Sequence, residues 1–329
     1  MILVTGGLGF IGSHVVLNLL KRGQEVVIID NLANSNLDVL QRLEYVSQLY
    51  IPFVKIDLRN TPALIRVFEQ YPIDYVIHTA GFKSVDESIM KPLEYYNDNL
   101  GCLMSLLRAM QRVGVKKMIH FSSLAIYGQS SLSLTEQTAI NFSYQNPYIQ
   151  SHQMMEQILA DTASTDYDWQ IVSLRLGNVA GADESGIIGE TINAFPKNII
   201  PIALQVAAAE REYIELYQEA KTIDRTVERS FVHVTDVCAA VFNVMAWQTQ
   251  QQNHFEYFDI ANQVSSIQNL LHIIEAVTKK TIQRTILKRE QNTIDQIGSV
   301  SQKAKRILYW QPLRDLHKMI EDEWHFYQK

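Results

Sequence analysis

Cysteine is scarce in this chain, since only Cys102 and Cys238 occur among 329 residues, far apart and without nearby metal-ligand partners. This excludes a disulfide framework and a cysteine-based metal site, and we expect two reduced core thiols, no bound metal and a cytoplasmic protein. Long apolar runs are also missing: none reaches the roughly 18 residues that a membrane span needs. The first predicted strand begins at Ile2, so we expect no signal peptide.

Clusters of basic residues are absent too. The chain has 29 Lys and Arg against 35 Asp and Glu, a net charge of −6, and no basic run or stripe. We therefore expect no nucleic acid as a main partner. Hydrophobic residues make up 47% of the chain, which is enough to fill a sizeable core in one large or two unequal domains.

Apolar strands alternate with helical patterns through the first 175 residues. The predicted strands cover Ile2 to Thr5, Glu25 to Asp30, Phe53 to Asp57, Tyr75 to Thr79, Met118 to Ser122 and Gln170 to Arg175. The predicted helices cover Ile11 to Lys21, a segment that Thr61 caps with Pro62 at its first position, about Pro92 to Val113, and Pro147 to about Ala163. This alternation predicts an α/β fold, a doubly wound parallel Rossmann sheet covered on both faces.

The pattern changes after Arg175, where irregular stretches separate single helices over Thr235 to Trp247 and Ile267 to Thr278. We predict a Rossmann domain over residues 1–175. Residues 176–329 are predicted to form mainly a smaller, mixed α/β C-terminal substrate lobe, with some segments returning to the sheet. The polar stretch from Gly128 to Asn146 is predicted to be a loop.

A glycine-rich turn follows the first strand and opens the first helix, with the sequence TGGLGFIG over residues 5–12. Gly6, Gly9 and Gly12 suit three tasks: a tight turn, close approach of a pyrophosphate, and close packing of helix on strand. The helix N-terminus then offers free N–H groups to phosphates. Because the strand–turn–helix context is present, the pattern favours a dinucleotide site over a glycine turn without a nucleotide function.

Two carboxylates follow later strands. Asp30 lies at the end of the second strand, where a carboxylate accepts from adenosine ribose hydroxyls and repels a 2′-phosphate, so NAD is favoured over NADP. Asp57 lies at the end of the third strand, where it either contacts adenine or belongs to a plain strand-end turn.

Several further segments together resemble the UDP-galactose 4-epimerase family of extended short-chain dehydrogenases, over most of the chain. The segments are DNLANS at 30–35, HTAGFKSVDES at 78–88, KPLEYYNDN at 91–99, SSLAIYG at 122–128, NPY at 146–148, LRLGNVAGA around Asn178 and ERSFVHVTDV around Arg229. In dehydratase relatives Thr-Asp-Glu follows the serine strand. Leu124-Ala125-Ile126 stands here instead, which argues against dehydration.

The resemblance implies that NAD contacts the glycine turn, the strand ends and the loops after them. The implied cofactor-binding residues are Gly6, Gly9, Phe10, Ile11, Gly12, Asp30, Asn31, Asn34, Ser35, Asp57, Leu58, Thr79, Ala80, Gly81, Lys83, Asn99, Tyr148 and His152. It also implies a mechanism. Tyr148 as phenolate takes the proton of the sugar 4-hydroxyl while hydride moves from C4 to NAD, and Ser123 hydrogen-bonds the same hydroxyl. The 4-keto sugar then turns over and receives the hydride on its other face.

The family places a lysine four residues after the tyrosine, on the same helix face, and this chain has His152 there. The lysine charge would lower the tyrosine pKa, which is near 10 in a free phenol, whereas a histidine of ordinary pKa, about 6.5, is mostly neutral at pH 7. His152 could still bond a ribose hydroxyl. We hypothesise that NAD binding survives and that hydride transfer is slowed or repurposed, in which case His152→Lys raises turnover. The other interpretation is an ordinary helix residue in a chain that has lost activity.

Substrate contacts are implied by the resemblance at Lys83, Ser123, Tyr148, Asn178, Asn198, Arg229 and Arg289. Arginine suits a diphosphate because its planar fork meets phosphate oxygens in pairs, although a single arginine can equally be a solvated surface charge. The chain departs from the family at Ile223 to Glu228, at Ser230 and at Gln291-Asn292. The resemblance also implies that residues near Gly298 to Val300 decide whether a 2-acetamido group fits beside the sugar. These residues are small, so an N-acetylhexosamine is an expected alternative substrate.

Three functions follow from these patterns. The first is an NAD-dependent UDP-sugar 4-epimerase, an isomerase of galactose metabolism. The second is an impaired or noncatalytic protein that binds NAD or a sugar nucleotide. The third is an oxidoreductase that releases reduced cofactor. The helices at 92–113 and 147–163 resemble those of the family's dimer interface, which implies a homodimer. His78 and His120, at strand ends, are predicted to be structural residues, and Glu87 a loop charge.

Overall fold

The computed structural model describes residues 1–128, 131–143, 146–166, 168–191, 198–218, 222–250, 255–288 and 294–329. Its strands are β1 (Ile2–Thr5), β2 (Val26–Asp30), β3 (Phe53–Lys55), β4 (Tyr75–His78), β5 (Lys117–Ser123), β6 (Ser131–Leu134), β7 (Gln170–Leu176), β8 (Asn178–Ala180), β9 (Ile214–Gln218), β10 (Glu228–His233), β11 (Phe255–Ile260), β12 (Gln263–Ser266), β13 (Arg284–Lys288) and β14 (Gln296–Ser299).

Its helices are α1 (Phe10–Lys21), α2 (Leu37–Ser47), α3 (Thr61–Gln70), α4 (Val85–Met90), α5 (Pro92–Val113), α6 (Pro147–Ser164), α7 (Ile199–Ala207), α8 (Val234–Gln248), α9 (Ile267–Thr278), α10 (Gln302–Ile307) and α11 (Leu316–Tyr327). In the part of the chain that the structure describes, no helix is both long and apolar enough to cross a membrane.

The chain forms two compact units, each built from separate segments. The first unit comprises residues 1–126, 141–175 and 241–258, and the second comprises 127–140, 176–240 and 259–329.

The larger sheet contains, within the described residues, seven strands in the order β11-β7-β5-β4-β1-β2-β3. The pairs β1–β2, β1–β4, β2–β3 and β4–β5 are all parallel. The order runs outwards from β1 in both directions, as in doubly wound folds. The predicted Rossmann sheet is therefore confirmed. Ligand sites in such sheets lie at the carboxyl ends of the strands, where the order reverses.

One face of this sheet packs against α3, α5 and α6. Because side chains alternate along a strand, Leu3, Val76 and Met118 share this face, and they belong to the same buried cluster as Met155 and Leu159 of α6. The contact brings the helix that carries residues 148 and 152 onto β5.

Local signals start and end the long helices. Asn146 precedes α6 and its Oδ1 accepts from the Ile149 N–H at 3.1 Å, with Pro147 at the first helical position. Pro92 opens α5 in the same way, and Gly114 ends that helix at φ +81°. The observed bounds of α5 and α9 equal the predicted ones.

The structure corrects several local predictions. The third strand ends at Lys55 rather than Asp57, and Asn60, not Thr61, caps α3, since its Oδ1 accepts from the Ala63 N–H at 3.1 Å. The segment predicted as a loop over residues 128–146 contains strand β6. Glu87 lies in α4 rather than in a loop, because the polar stretch around it supplies Ser84, whose Oγ accepts from the Glu87 N–H.

The second unit contains a mixed sheet of shorter strands. β12, β10, β14 and β6 follow one another in it, β8 pairs with β10, and β13 pairs with β9 separately. The β10–β12 pair is antiparallel, whereas β10 pairs with β8 and β14 in parallel. Helices α7, α9 and α11 contribute to a buried cluster that includes Leu204, Leu270 and Ile320.

Candidate active site

The contacts around the glycine turn (residues 5–12) leave no space for a side chain at Gly6 or Gly12. Gly6 has φ +67°, and a Cβ there would lie 2.8 Å from backbone atoms of Ala80. A Cβ on Gly12 would lie 2.2 Å from the Gly6 carbonyl oxygen. A Cβ on Gly9 would meet only the Gly6 oxygen, at 3.2 Å, so the backbone can be approached closely there. These three environments match the predicted division of tasks.

The first turn of α1 fits an anion. Gly9 is the N-cap, no side chain caps this turn, and no acidic residue lies in it. The four N–H groups at a helix start have no partner within the helix, and the helix dipole favours negative charge there. Together with the open side of Gly9, this N-terminus fits a pyrophosphate.

Asp30 organises the loop beyond β2. Its Oδ2 accepts from the Leu8 N–H at 3.2 Å, and its Oδ1 accepts from the Leu32 N–H at 2.9 Å and the Ser35 hydroxyl at 2.8 Å. The carboxylate thus joins the glycine turn to the predicted ribose-binding loop. Asn31 accepts from the Ala33 N–H at 2.9 Å.

The side chains of the other predicted cofactor residues serve partly to hold the loops. Asn34 and Lys83 are exposed. The Thr79 hydroxyl donates to the Thr5 carbonyl at 2.7 Å. Leu58 is buried. Asp57 is bound to Arg59, with Nε to Oδ1 at 2.9 Å, and this bond lowers the pKa of the Asp57 carboxyl.

Asn99 ties the loop after β4 to α6. Its Oδ1 accepts from the Phe82 N–H at 2.8 Å and its Nδ2 donates to the Ser151 hydroxyl at 3.1 Å. A Cβ on Gly81 would lie 3.1 Å from the same Oδ1. In this structure the amide therefore positions residues 81–82 beside the helix that carries Tyr148.

The predicted catalytic residues come together at the start of α6. Burial raises the pKa of Tyr148 above its ordinary value, and the nearby Ser123 hydroxyl, which lowers that pKa, is the smaller effect. The rings of Tyr148 and His152 meet edge to face, with centroids 4.7 Å apart. Burial lowers the pKa of His152 to about 4. The histidine is therefore neutral at pH 7 and supplies no charge to the phenol.

A buried row of side chains lies beneath this pair. Thr5, His78 and His120 are register partners on three adjacent strands, so they point to the same face of the sheet. His78 Nδ1 bonds the Thr5 hydroxyl at 2.7 Å, and His120 Nδ1 bonds the Ser173 hydroxyl at 3.0 Å. Both imidazoles thus have the partners expected of structural histidines. Burial lowers the pKa of His78 to about 4 and places that of His120 well below its ordinary value.

The three imidazoles continue one another. The His78 and His120 rings are stacked with centroids 6.0 Å apart, and the His120 and His152 centroids are 6.2 Å apart. We call His78, His120 and His152 the histidine row. Sequence reasoning missed this row, although the βαβ order makes the two strands neighbours. His78 ends β4 as predicted, whereas His120 lies within β5, which continues to Ser123, and not at a strand end.

An ion pair anchors α6 one turn beyond His152. Arg175 Nη2 donates to Glu156 Oε2 at 2.6 Å, and both side chains are almost fully buried. The Arg175 guanidinium also lies 3.8 Å from the centroid of the Tyr257 ring. Because a buried charge is costly without its partner, the pair fixes the helix against β7.

The predicted substrate residues outside this cluster belong to the second unit. Asn178 opens β8 and is exposed. Asn198 precedes α7 and donates to Glu190 Oε1 at 2.9 Å. Arg229 donates to three main-chain carbonyls, including that of Ile294 at 2.8 Å. Arg289 lies outside the described residues.

Comparisons with known proteins show similarity over nearly the whole chain. The model of the NAD dependent epimerase/dehydratase family matches residues 2–261. The chain is 36% identical to a UDP-glucose 4-epimerase of Neisseria meningitidis serogroup C, over 98% of this chain and 96% of that protein. It is 35% identical to a UDP-glucose 4-epimerase of Bacillus subtilis, over 98% of this chain and 95% of that protein.

Solved structures give the same result. A UDP-glucose 4-epimerase from Bifidobacterium longum, in complex with NAD+ and UDP, superposes with a TM-score of 0.95 at 32% identity, covering 99% of this chain and 98% of that one. One from Stenotrophomonas maltophila, with bound NAD and formylated UDP-arabinopyranose, gives a TM-score of 0.94 at 32% identity, covering 99% and 97%. The match to the family model and these relatives show that this chain belongs to the NAD dependent epimerase/dehydratase family.

Proposed function

We propose that this protein is an NAD-dependent epimerase acting at C4 of a UDP-sugar, either UDP-glucose and UDP-galactose or their N-acetylated forms. The observation that carries the proposal is the proximity of Ser123, at the end of β5, to Tyr148, in the first turn of α6, in the unit that also contains the glycine turn. The full-length similarity to UDP-glucose 4-epimerases supports the choice of substrate.

When bound, oxidised NAD supplies a hydride acceptor and a positive charge. The chain contributes the turn at residues 5–12 for the pyrophosphate and the loop organised by Asp30 for the ribose. Tyr148 Oη takes the proton of the sugar 4-hydroxyl and returns it, and Ser123 Oγ holds that hydroxyl in line. Proton transfer by a positioned side chain contributes roughly 10²- to 10⁴-fold to a rate.

The neutral state of His152 has a consequence for pH. Since burial raises the pKa of Tyr148 and the histidine adds no charge, less phenolate is available at pH 7 than a cation at position 152 would produce. Turnover should therefore rise with pH above neutrality, and His152→Lys should shift the rise to lower pH.

The deciding experiment has two steps. The purified protein is denatured and the released nucleotides are identified, and native protein is then incubated with UDP-glucose or UDP-galactose and followed by NMR. We expect released NAD, interconversion of the two sugars without accumulation of reduced cofactor, and at least about a hundredfold loss in Tyr148→Phe. NAD release without interconversion of either sugar or its N-acetylated form would contradict the epimerase proposal, and accumulation of reduced cofactor would indicate a net oxidoreductase.

We also propose that Asn178, Asn198, Arg229 and Arg289 bind the nucleotide part of the substrate, on the family resemblance. A substitution such as Arg229→Lys should raise KM more than it lowers kcat, because a bidentate contact to phosphate is lost. An unchanged KM would contradict this assignment for Arg229.

A homodimer is proposed on the same resemblance and on exposed apolar residues. Leu93 and Met104, eleven residues apart on α5, lie on one helix face and are 79% and 39% exposed. Met90 at the end of α4 is 81% exposed and Met154 on α6 is 45% exposed. Sedimentation should give a dimer at micromolar concentration, and Leu93→Glu should dissociate it; a monomeric wild type would contradict the proposal.

A further inference from the structure

The His152 ring is not held by a hydrogen bond at its buried nitrogen. Its Nδ1 is buried and has no hydrogen-bond partner among the described residues. The rings that contact it, within the described chain, are those of Tyr148 at 4.7 Å and His120 at 6.2 Å between centroids. These are the two aromatic neighbours that can orient the His152 ring in the described chain.

His120 is itself held firmly. The His120 side chain is 1% exposed, and its Nδ1 bonds the Ser173 hydroxyl on β7. The His78 ring stacks on the His120 ring. His78 is fixed in turn by its bond to Thr5. The support for position 152 thus extends across four strands of the sheet, from β1 to β7.

We propose that His120 is a positioning residue for His152, whose half-buried ring it holds beside Tyr148 by packing of the two imidazoles, with their centroids 6.2 Å apart. This inference rests on the proposed function of Tyr148 and goes beyond it, because His120 touches neither sugar nor cofactor in that scheme. With its ring held in one orientation, His152 keeps Nδ1 buried and leaves its other nitrogen to bond a ribose hydroxyl, which favours one tautomer, so position 152 acts as a neutral hydrogen-bonding group rather than as a cation.

Among the residues that the structure describes, no free carboxylate lies beside His152 to make it a cation. The ionisable groups around it are Tyr148 and Glu156 on its own helix, His120 on β5, His78 on β4, Arg175 on β7, and Tyr96 on α5, which packs on α6 through Gln150. Glu156 is already bound to Arg175 at 2.6 Å. The neighbouring imidazoles therefore disfavour a second proton on His152, which agrees with its lowered pKa of about 4.

NMR of the ¹⁵N-histidine-labelled protein tests the positioning directly. The signals of His152 are assigned by their loss in His152→Gln. In the wild type we expect one neutral tautomer from pH 8 to about pH 5.5, and in His120→Phe we expect those signals to move towards the average of two tautomers. His272→Gln, a change at an exposed histidine of α9, is the matched control and should leave the His152 signals unchanged.

Kinetics separate positioning from simple structural support. His120→Asn keeps a polar atom where Nδ1 meets Ser173 but removes the part of the ring beyond it. We expect both His120→Asn and His120→Phe to lower kcat about tenfold with KM little changed, and His120→Phe to have less than about a twofold effect in a His152→Phe background. If His120 acts through His152, the loss of kcat caused by His120→Phe should largely disappear once His152 has been replaced.

Either readout can overturn the inference. It is wrong if His152 signals are the same in His120→Phe as in the wild type, if wild-type His152 titrates near its ordinary pKa, or if His120→Asn retains full kcat. The NMR result decides the inference even where neither sugar is converted, in which case the proposed function alone fails. Epimerisation with unmoved His152 signals would remove the positioning role and leave the function intact.

Discussion

The glycine turn and the histidine row lie in the same unit but are constructed differently. The turn is made by main chain: Gly6 and Gly12 are required because a Cβ there would lie under 3 Å from Ala80 and from the Gly6 carbonyl, and all residues of the turn are consecutive. The row is made by side chains from residues 78, 120 and 152, which only strand register and the packing of α6 bring together. A local main-chain site constrains the sequence at fixed spacing, whereas a side-chain site across elements does not.

The glycine turn and the histidine row should also be sensitive to different changes. The turn has no titratable group among residues 5–12 themselves. The row consists of groups whose protonation burial opposes. We therefore expect substitutions to break the turn by steric contact and acid to break the row by charge.

The largest effect is expected from Gly12→Ala. The new Cβ would lie 2.2 Å from the Gly6 oxygen, so the turn and α1 must separate. A displacement of about 1 Å in a positioning element can reduce function by a factor of about 100, and we expect NAD affinity to fall at least that much. Calorimetric titration of NAD into protein stripped of nucleotide measures the change.

Gly101→Ala is the matched control for this substitution. Gly101 lies inside α5, its added Cβ would lie 3.6 Å from the Arg59 side chain, and alanine is the better helix former by roughly 0.5–1 kcal/mol. The control should keep NAD affinity and raise the melting temperature slightly. Equal NAD affinity in Gly12→Ala and the wild type would show that the turn does not hold the dinucleotide.

The sequence was sufficient for those parts of the fold in which neighbouring residues decide. The strand–glycine–helix order and Pro92 with Gly114 around α5 predicted the sheet and the bounds of that helix. The start of α3 was harder to predict, because Asn60 and Thr61 are both good N-cap residues. The structure shows that Asn60 is the cap, since its Oδ1 accepts from the Ala63 N–H.

The candidate site divides in the same way. The approach of Ser123 and Tyr148 was predictable only through resemblance, because 23 residues lie between Ser123 and the start of α6 at Pro147. Propensity says nothing about which buried side chains meet across elements. Asn99 shows this limit, since no local pattern indicated that its amide also bonds the Phe82 N–H and the Ser151 hydroxyl; its contact with cofactor stays a prediction.

An effect of intermediate size is expected from acid. His78 has a pKa of about 4 in the folded protein and about 6.5 when unfolded, so below pH 6.5 the unfolded chain binds more protons and the free energy of unfolding falls with pH. The contribution is complete above pH 6.5 and is lost towards pH 4, about 2 kcal/mol of it between pH 7 and pH 5. Urea unfolding at these two pH values measures the loss.

His78→Asn should reduce this pH dependence by about 2 kcal/mol while keeping a polar partner for Thr5. His272→Gln, at an exposed position, should leave it unchanged. If His78→Asn shows the full wild-type dependence, His78 titrates normally in the folded protein and the row is not a region of suppressed protonation.

The smallest effect is expected at the N-cap of α6, where a hydrogen bond between neighbouring residues fixes the turn that carries Tyr148. Asn146→Ala removes the bond to the Ile149 N–H, and loss of an N-cap costs about 1 kcal/mol. Because Tyr148 lies two residues further on, fraying of this turn should also lower kcat, while Asn146→Asp, which keeps the accepting oxygen, should retain both stability and kcat. Thermal unfolding and sugar conversion by the two variants measure this. A full loss of kcat in Asn146→Ala with unchanged stability would mean that Asn146 acts on the reaction itself, and the separation between local scaffold and side-chain site would then fail at this residue.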